Sequence, residues 1–345
     1  MTIAAIWRKL FGSFASYQDI PTVDYYFLGA LRDLVREPND TGSNRPILRC
    51  GPTTFVVGRR LVIVRYLSRK ELLWINQRAF EQVYYIIDDM LPIAEHCHEL
   101  PSVYRTRLAQ FARDMLPAIL ALNPTIVAPS QAILELFPNR PAELINPCCL
   151  QVAQDFSHFG SRTARPQQVR VAFLGTRSHG AGISFLTPIL QRLGKREDIC
   201  CTLFFGKHVP PQLRSLPSID NRAPLSWEHF KHFSACERYH MVLAPLPDTP
   251  FNRGRSLTKV METAGVGGAG IFSARQPFSD ALEHGHNGLL LEDDPALWVA
   301  EIERLAADLQ MARFLAENMV TAAQRLGNKQ TLRTYWSERF GIGRE

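Results

Sequence analysis

Arg255, Lys259 and Glu262 follow one another at spacings of four and three, the repeat that brings side chains onto one face of a helix. The helical pattern begins near Ser256, after an apolar strand-like run over residues 240–246 and a loop rich in Pro, Asp and Asn. A capping box would place Glu or Gln three residues after the cap. This chain has Lys259 in that slot and Arg255 just before the cap. Two cations at the positive end of a helix oppose its dipole, each disfavoured by roughly 0.3–1 kcal/mol. An anion bound there reverses the balance, because free backbone N–H groups and both side chains converge on it. The pattern therefore reads as a phosphate site. The structural alternative is an exposed Lys259–Glu262 pair worth little, with Arg255 solvating a loop.

The surrounding elements favour the first reading. Gly265, Gly267, Gly268 and Gly270 lead into a second apolar run over residues 271–273. A Pro-started helical pattern over 277–283 then leads to the strand-like run at 289–291. Strand, helix, strand, helix and strand in that order suit a parallel sheet covered by helices.

In order along the chain stand APL (244–246), TPFN (249–252), RSxxKxxE (255–262), IFS (271–273) and HGxNGLL (284–290), then an acidic residue and Trp298. This succession resembles the donor-binding half of bacterial glycosyltransferases of the GT-B fold, close to the large retaining family 4, over about residues 169–340. The resemblance implies that Arg255 and Lys259 meet the diphosphate of a nucleotide sugar and that Glu262 holds its ribose. It makes Asn252 and Ser256 further donor contacts. One departure concerns the transferred sugar: the commoner pattern has two Glu eight positions apart, and eight before Glu262 lies Gly254.

A second donor contact is expected at Gly175, Thr176 and Arg177, in the glycine-rich turn that follows the strand run at 169–174. Ala181 and Gly182 stand where a P-loop needs Lys and Ser or Thr, so the NTPase reading fails. The plainer alternative is a tight strand–helix turn with an exposed Arg.

The first half alternates too. A β-branched run at 61–65, a helix at 69–80 and a buried-strand candidate at 83–87 end in Asp88 and Asp89. Helical patterns at 104–122 and 130–136 flank a short strand at 125–128, and residues 142–146 close the unit. A strand ending in two Asp, with VxPS-like and INP-like segments after it, resembles the acceptor half of the same enzymes. Adjacent carboxylates repel, so one pKa should rise toward a general base's range. Alternation aims one at the cleft and the other at a neighbouring helix start, where capping is the plainer role.

The organisation expected is thus α/β. Two Rossmann-like domains, 46–150 and 169–328, face each other across a cleft. Residues 1–45 form a helical leader, the polar stretch 151–168 a linker, and 329–345 a helix crossing back to the first domain. Residues 3–14 are basic and amphipathic. They either pack on the first domain or dock on an anionic membrane face, where lipid-linked acceptors reside.

Composition bounds the rest. The 345 residues are 46% hydrophobic and 21% charged, as in ordinary globular proteins. No apolar run approaches the ~20 residues of a membrane-spanning helix and no signal-peptide pattern opens the chain, so the expected place is the cytoplasm, with the inner membrane face as an alternative. The seven cysteines include the adjacent pairs Cys148-Cys149 and Cys200-Cys201, which suit neither disulfide nor C-x-x-C metal spacing. His96-Cys97-His98 lacks zinc spacing and no DxD or HExxH motif is present, so a metal-independent site without cofactor is expected. Basic residues are spread along the chain, which argues against nucleic acid. The resemblance to GT-B enzymes implies transfer of a hexose-like sugar, with retention, from a nucleotide diphosphate to a hydroxyl of a glycan or lipid-linked acceptor. Asp88, Asp89, Arg255 and Lys259 are the catalytic candidates. A nucleotide-sugar epimerase of the same fold and a catalytically silent nucleotide-sugar-binding subunit are the alternatives.

Overall fold

The computed structural model describes residues 19–40, 42–160, 168–176 and 180–342. Two sheets carry the chain. The first has seven strands in sequence order: β1 (Val35–Arg36), β2 (Ile47–Arg49), β3 (Thr54–Val57), β4 (Arg60–Val64), β5 (Gln82–Ile86), β6 (Thr125–Ala128) and β7 (Ala142–Leu144). β4 to β7 are parallel, whereas β3 pairs antiparallel with both β2 and β4. The second sheet holds β8 (Val169–Phe173), β9 (Ile199–Leu203), β10 (Ile219–Asn221), β11 (Met241–Ala244), β12 (Ala269–Ser273) and β13 (Leu289–Leu291). It is parallel throughout, in the order β10-β9-β8-β11-β12-β13.

Local sequence accounts for the elements that matter. β5 and β12 are apolar runs buried on both faces, as strands under helices must be. α1 (Arg69–Asn76) starts at a full capping box between Ser68 and Glu71. The helical stretch expected over 104–122 is two helices, α2 (Ser102–Asp114) and α3 (Leu116–Ala121). Pro117 has no N–H to continue the first and is tolerated in the opening turn of the second.

The order of the second sheet reverses between β8 and β11: the chain leaves β8 toward β9 and β10, then returns to the other side at β11. Ligands of open α/β sheets bind at the carboxyl ends beside such a switch point. The loops after β8 and β11 carry Thr176 and Arg255.

Residues 19–36, expected in a separate leader, are built into the first half. A helical stretch over 21–31, wound as a π-helix at Asp24–Leu28, feeds β1, which pairs with β2. Its residues are buried because Tyr26, Phe27 and Leu31 face the core. The last helix, Lys329–Phe340, crosses back to that stretch: the Trp336 indole donates to the Tyr26 carbonyl at 2.9 Å, and Arg333 pairs with Asp33 at 2.7 Å. One apolar cluster consequently runs through both halves, from Phe27 and Tyr84 to Phe272 and Met319. The basic segment 3–14 lies outside the described residues.

Candidate functional site

A cavity of about 420 Å3 opens between the carboxyl ends of the two sheets. Arg255, Ser256, Lys259 and Glu262 line it from the second half, and Asp88 and Asp89 from the first. The helix on the donor-like side is Thr258–Val266, capped at its end by Gly267 in the left-handed region (φ 67°) that glycine alone enters without strain. It starts two residues later than expected. Ser256 accepts only a long bond from Thr258 N–H (3.4 Å), and Leu257 stands at the N-cap with no side-chain bond. Among the described residues, that long Ser256 contact is the one side-chain bond to the first N–H groups of this helix.

Lys259 points into the cavity and donates to the Glu262 carboxylate (2.5 Å) and to the Leu174 carbonyl (2.8 Å). Both side chains are largely buried, so the pair is not the exposed couple of the structural alternative. Arg255 lies over the Phe251 ring at 4.9 Å and approaches Asp89 Oδ1 at 3.5 Å across the cleft.

Asp88 and Asp89 follow β5 and both line the cavity, where alternation had directed one to a helix start. They turn the same way because Arg65 stands between them. Its guanidinium lies 3.1 Å from Asp88 Oδ1 and also binds Asp89 and the Tyr104 hydroxyl. Thr22, from the N-terminal helical stretch, donates to Asp88 Oδ2 at 2.7 Å. Burial lifts the Asp88 carboxyl above its ordinary range, Arg65 opposes that, and Asp89 adds to it. Asp88 Oδ1 is buried against the Arg65 guanidinium at 3.1 Å, with no other partner among the described residues.

The other expected donor residues divide. Thr176 lines the cavity. Gly175 does not, but a Cβ there would collide with the Phe173 ring, so the turn requires glycine. Asn252 is turned away: its amide holds the Pro247 carbonyl at 2.9 Å, and it borders a smaller cavity of about 60 Å3 that also touches Arg255 and Lys259. Arg177 lies outside the described residues.

Sequence reasoning missed the contribution of the N-terminal stretch. Tyr25 packs on Trp227 (ring centroids 5.3 Å apart), and Trp227 donates to Asp24 at 2.7 Å, with Lys231 on the same carboxylate at 2.9 Å. Tyr25 thereby lines the cavity beside Glu262, and burial together with that carboxylate pushes its phenol well above the usual range. It also missed Arg65 at the end of β4. The signal was there: a lone Arg ending one apolar run and two Asp ending the next, on neighbouring parallel strands.

Solved structures share this fold at low identity. A sucrose-phosphate synthase from Thermosynechococcus elongatus matches with a TM-score of 0.56 and 15% identity, over 82% of this chain and 73% of that one. HepE from Anabaena, in complex with UDP and glucose, matches at 0.54 and 15%, over 81% and 77%. TarM from S. aureus, in a complex that includes UDP, matches at 0.54 and 12%, over 79% and 53%. The fold is GT-B. No protein-family model and no curated protein matches the chain.

Within this GT-B fold the cavity falls between the halves, at the switch point of the second sheet. Among the described residues no helix is long and apolar enough to cross a membrane.

Proposed function

We propose that the protein is a glycosyltransferase that moves a sugar from a nucleotide diphosphate to a hydroxyl of a glycan or lipid-linked acceptor, with retention. The observation that carries this reading is the helix start after β11. Its N-cap residue Leu257 offers no side-chain bond, it carries Arg255 and Lys259 where the dipole disfavours cations, and it opens on a 420 Å3 cleft. A diphosphate satisfies all three conditions. Glu262, one helical turn on, holds the ribose hydroxyls, and Thr176 and Ser256 complete the donor contacts. The UDP held by HepE, a protein of the same fold, supports the donor class.

As the glycosidic bond breaks, negative charge grows on the leaving diphosphate. Arg255, Lys259 and the helix N–H groups stabilise it where it forms, which is how such sites obtain most of their effect. On the facing wall Asp88, whose pKa burial lifts, takes the proton of the incoming hydroxyl. No metal enters this scheme, since fixed cations neutralise the diphosphate. The halves divide the work: residues 46–150 receive the acceptor and 169–328 the donor, with residues 3–14 resting on an anionic membrane face.

Thermal shift against a panel of nucleoside diphosphates and nucleotide sugars tests the reading. A ligand at ~100 times its Kd adds roughly 2.7 kcal/mol and raises the melting temperature. A panel that leaves it unmoved counts against the proposal.

A further inference from the structure

The donor contacts run in one direction along the cleft. Glu262, Lys259 and Arg255 succeed one another backward along the helix and into the segment that enters it, at about 1.5 Å per helical residue. With ribose at Glu262 and the phosphates at Lys259 and Arg255, the group carried on the distal phosphate lies beyond Arg255. Gly254, the next residue in that direction, has no side chain and no room for one. A Cβ there would come within 2.5 Å of Met90 Cγ and 2.6 Å of its sulfur. A side chain at residue 254 would have to displace the buried Met90 side chain.

The facing half offers one. Met90 directly follows Asp88 and Asp89, so the turn that presses Met90 onto Gly254 also lays Asp89 beside Arg255. Asp89 Oδ2 is occupied by Arg65 and by the Tyr104 hydroxyl (3.0 Å). Asp89 Oδ1 faces Arg255 at 3.5 Å, beyond hydrogen-bond length. An ionised carboxylate accepts at about four positions, so Oδ1 can take hydroxyl donors. Arg65, which holds the other oxygen, has a left-handed backbone (φ 60°), a conformation that is unfavourable for a side chain and tends to be kept where the site needs it. Its carbonyl is fixed there by the Tyr85 hydroxyl at 2.9 Å.

We propose that Asp89, positioned by Arg65, recognises the hydroxyls of the transferred group, so that the half facing the nucleotide sets donor specificity. This rests on the nucleotide-sugar reading of the cleft.

Calorimetry on the full chain tests it with three pairs of probes: UDP and UDP-glucose, ADP and ADP-glucose, GDP and GDP-mannose. Asp89→Asn should weaken the sugar-bearing ligand about 10- to 100-fold relative to its bare diphosphate, the scale of a hydrogen bond to a charged group. Binding of the bare diphosphate should hold or tighten, as Arg255 is released. Arg65→Lys keeps the charge but loses the two-pronged geometry, and should lower the same ratio. An unchanged ratio in Asp89→Asn overturns the proposal. An unchanged ratio in Arg65→Lys alone, with a lower melting temperature, removes Arg65 from it. Where Asp89→Asn does not fold, Tyr104→Phe loosens Asp89 without altering a charge, and an unmoved ratio there overturns the proposal equally. A wild type that binds none of the bare diphosphates refutes the nucleotide-sugar reading instead, which is a separate failure.

Discussion

The ammonium of Lys259 donates to the main-chain carbonyl of Leu174 at 2.8 Å, joining the helix after β11 to the loop after β8. The two sides of the switch point are thus tied by the same side chain that is assigned to the diphosphate. Lys259 and Arg255 should then behave differently on removal. Either change to Ala should weaken nucleoside diphosphate binding by roughly 1.5–3 kcal/mol. Lys259→Ala should also lower the melting temperature, because it leaves Glu262 and the Leu174 carbonyl without their donor, whereas Arg255→Ala should not. Calorimetry and thermal melts on both variants check this, and unchanged affinity in both would remove the phosphate site.

Glu262→Gln separates ribose binding from support of Lys259. If Glu262 holds ribose, the variant loses affinity for UDP or a related diphosphate but keeps its affinity for pyrophosphate. Equal weakening of both ligands would mean that Glu262 serves only to orient Lys259, from which it lies 2.5 Å.

Asp88→Asn should lose transfer by roughly 10²–10⁴-fold, the contribution of a general base. Donor affinity should hold, since Asp88 contacts Arg65 and Thr22 and none of the residues assigned to the nucleotide. Single-turnover kinetics with saturating donor would expose the opposite result, full activity in the variant.

The second half carries a pH-sensitive element of its own. Burial, with His158 beside it, pulls the His240 imidazole down to about 4 from the ordinary 6.5. The unfolded chain therefore binds a proton between those values that the folded chain does not. The stabilisation is complete above pH 6.5 and is lost as pH falls toward 4. The raised Asp88 carboxyl acts with the opposite sign at the acid side, so the comparison must be internal. Melting temperatures of wild type and His240→Gln should converge as pH falls from 7 to 5, and parallel curves would contradict the assignment.

Trp336 measures how far the two halves depend on the crossing helix. It is fully buried, packs near Phe27 (5.2 Å) and Tyr84 (5.6 Å), and donates to Tyr26. Trp336→Ala should cost about 3–5 kcal/mol in urea unfolding. Trp336→Phe retains much of the packing and should cost less. A small loss with Ala would mean that the helix is dispensable.

How much of this was legible in the sequence varies with the range of the forces involved. β6 and β13 match their apolar runs, 125–128 and 289–291, because a strand buried on both faces is a local property of composition. The antiparallel β2 and β3 were missed, since their short runs are interrupted by Cys50–Thr53 and carry no helical or strand period of sufficient length. Ser256 was misread as an N-cap because side-chain type cannot reveal that the loop geometry keeps its oxygen 3.4 Å from the one N–H it meets. The site itself divides in the same way. Arg255, Lys259 and Glu262 declare themselves through helical spacing, which is local. Tyr25 beside Glu262 depends on Trp227, and Asp24 bonds that residue across 203 positions. No window of sequence contains such a pair.

The two strands of chain that pass between the halves also touch each other. Cys149 N–H donates to the Gly327 carbonyl at 2.7 Å, and a Cβ on Gly327 would come within 2.6 Å of that same nitrogen. The bond and the close approach that keeps residue 327 a glycine pin the two crossings to each other where they pass, so neither segment can shift along the other without breaking that contact.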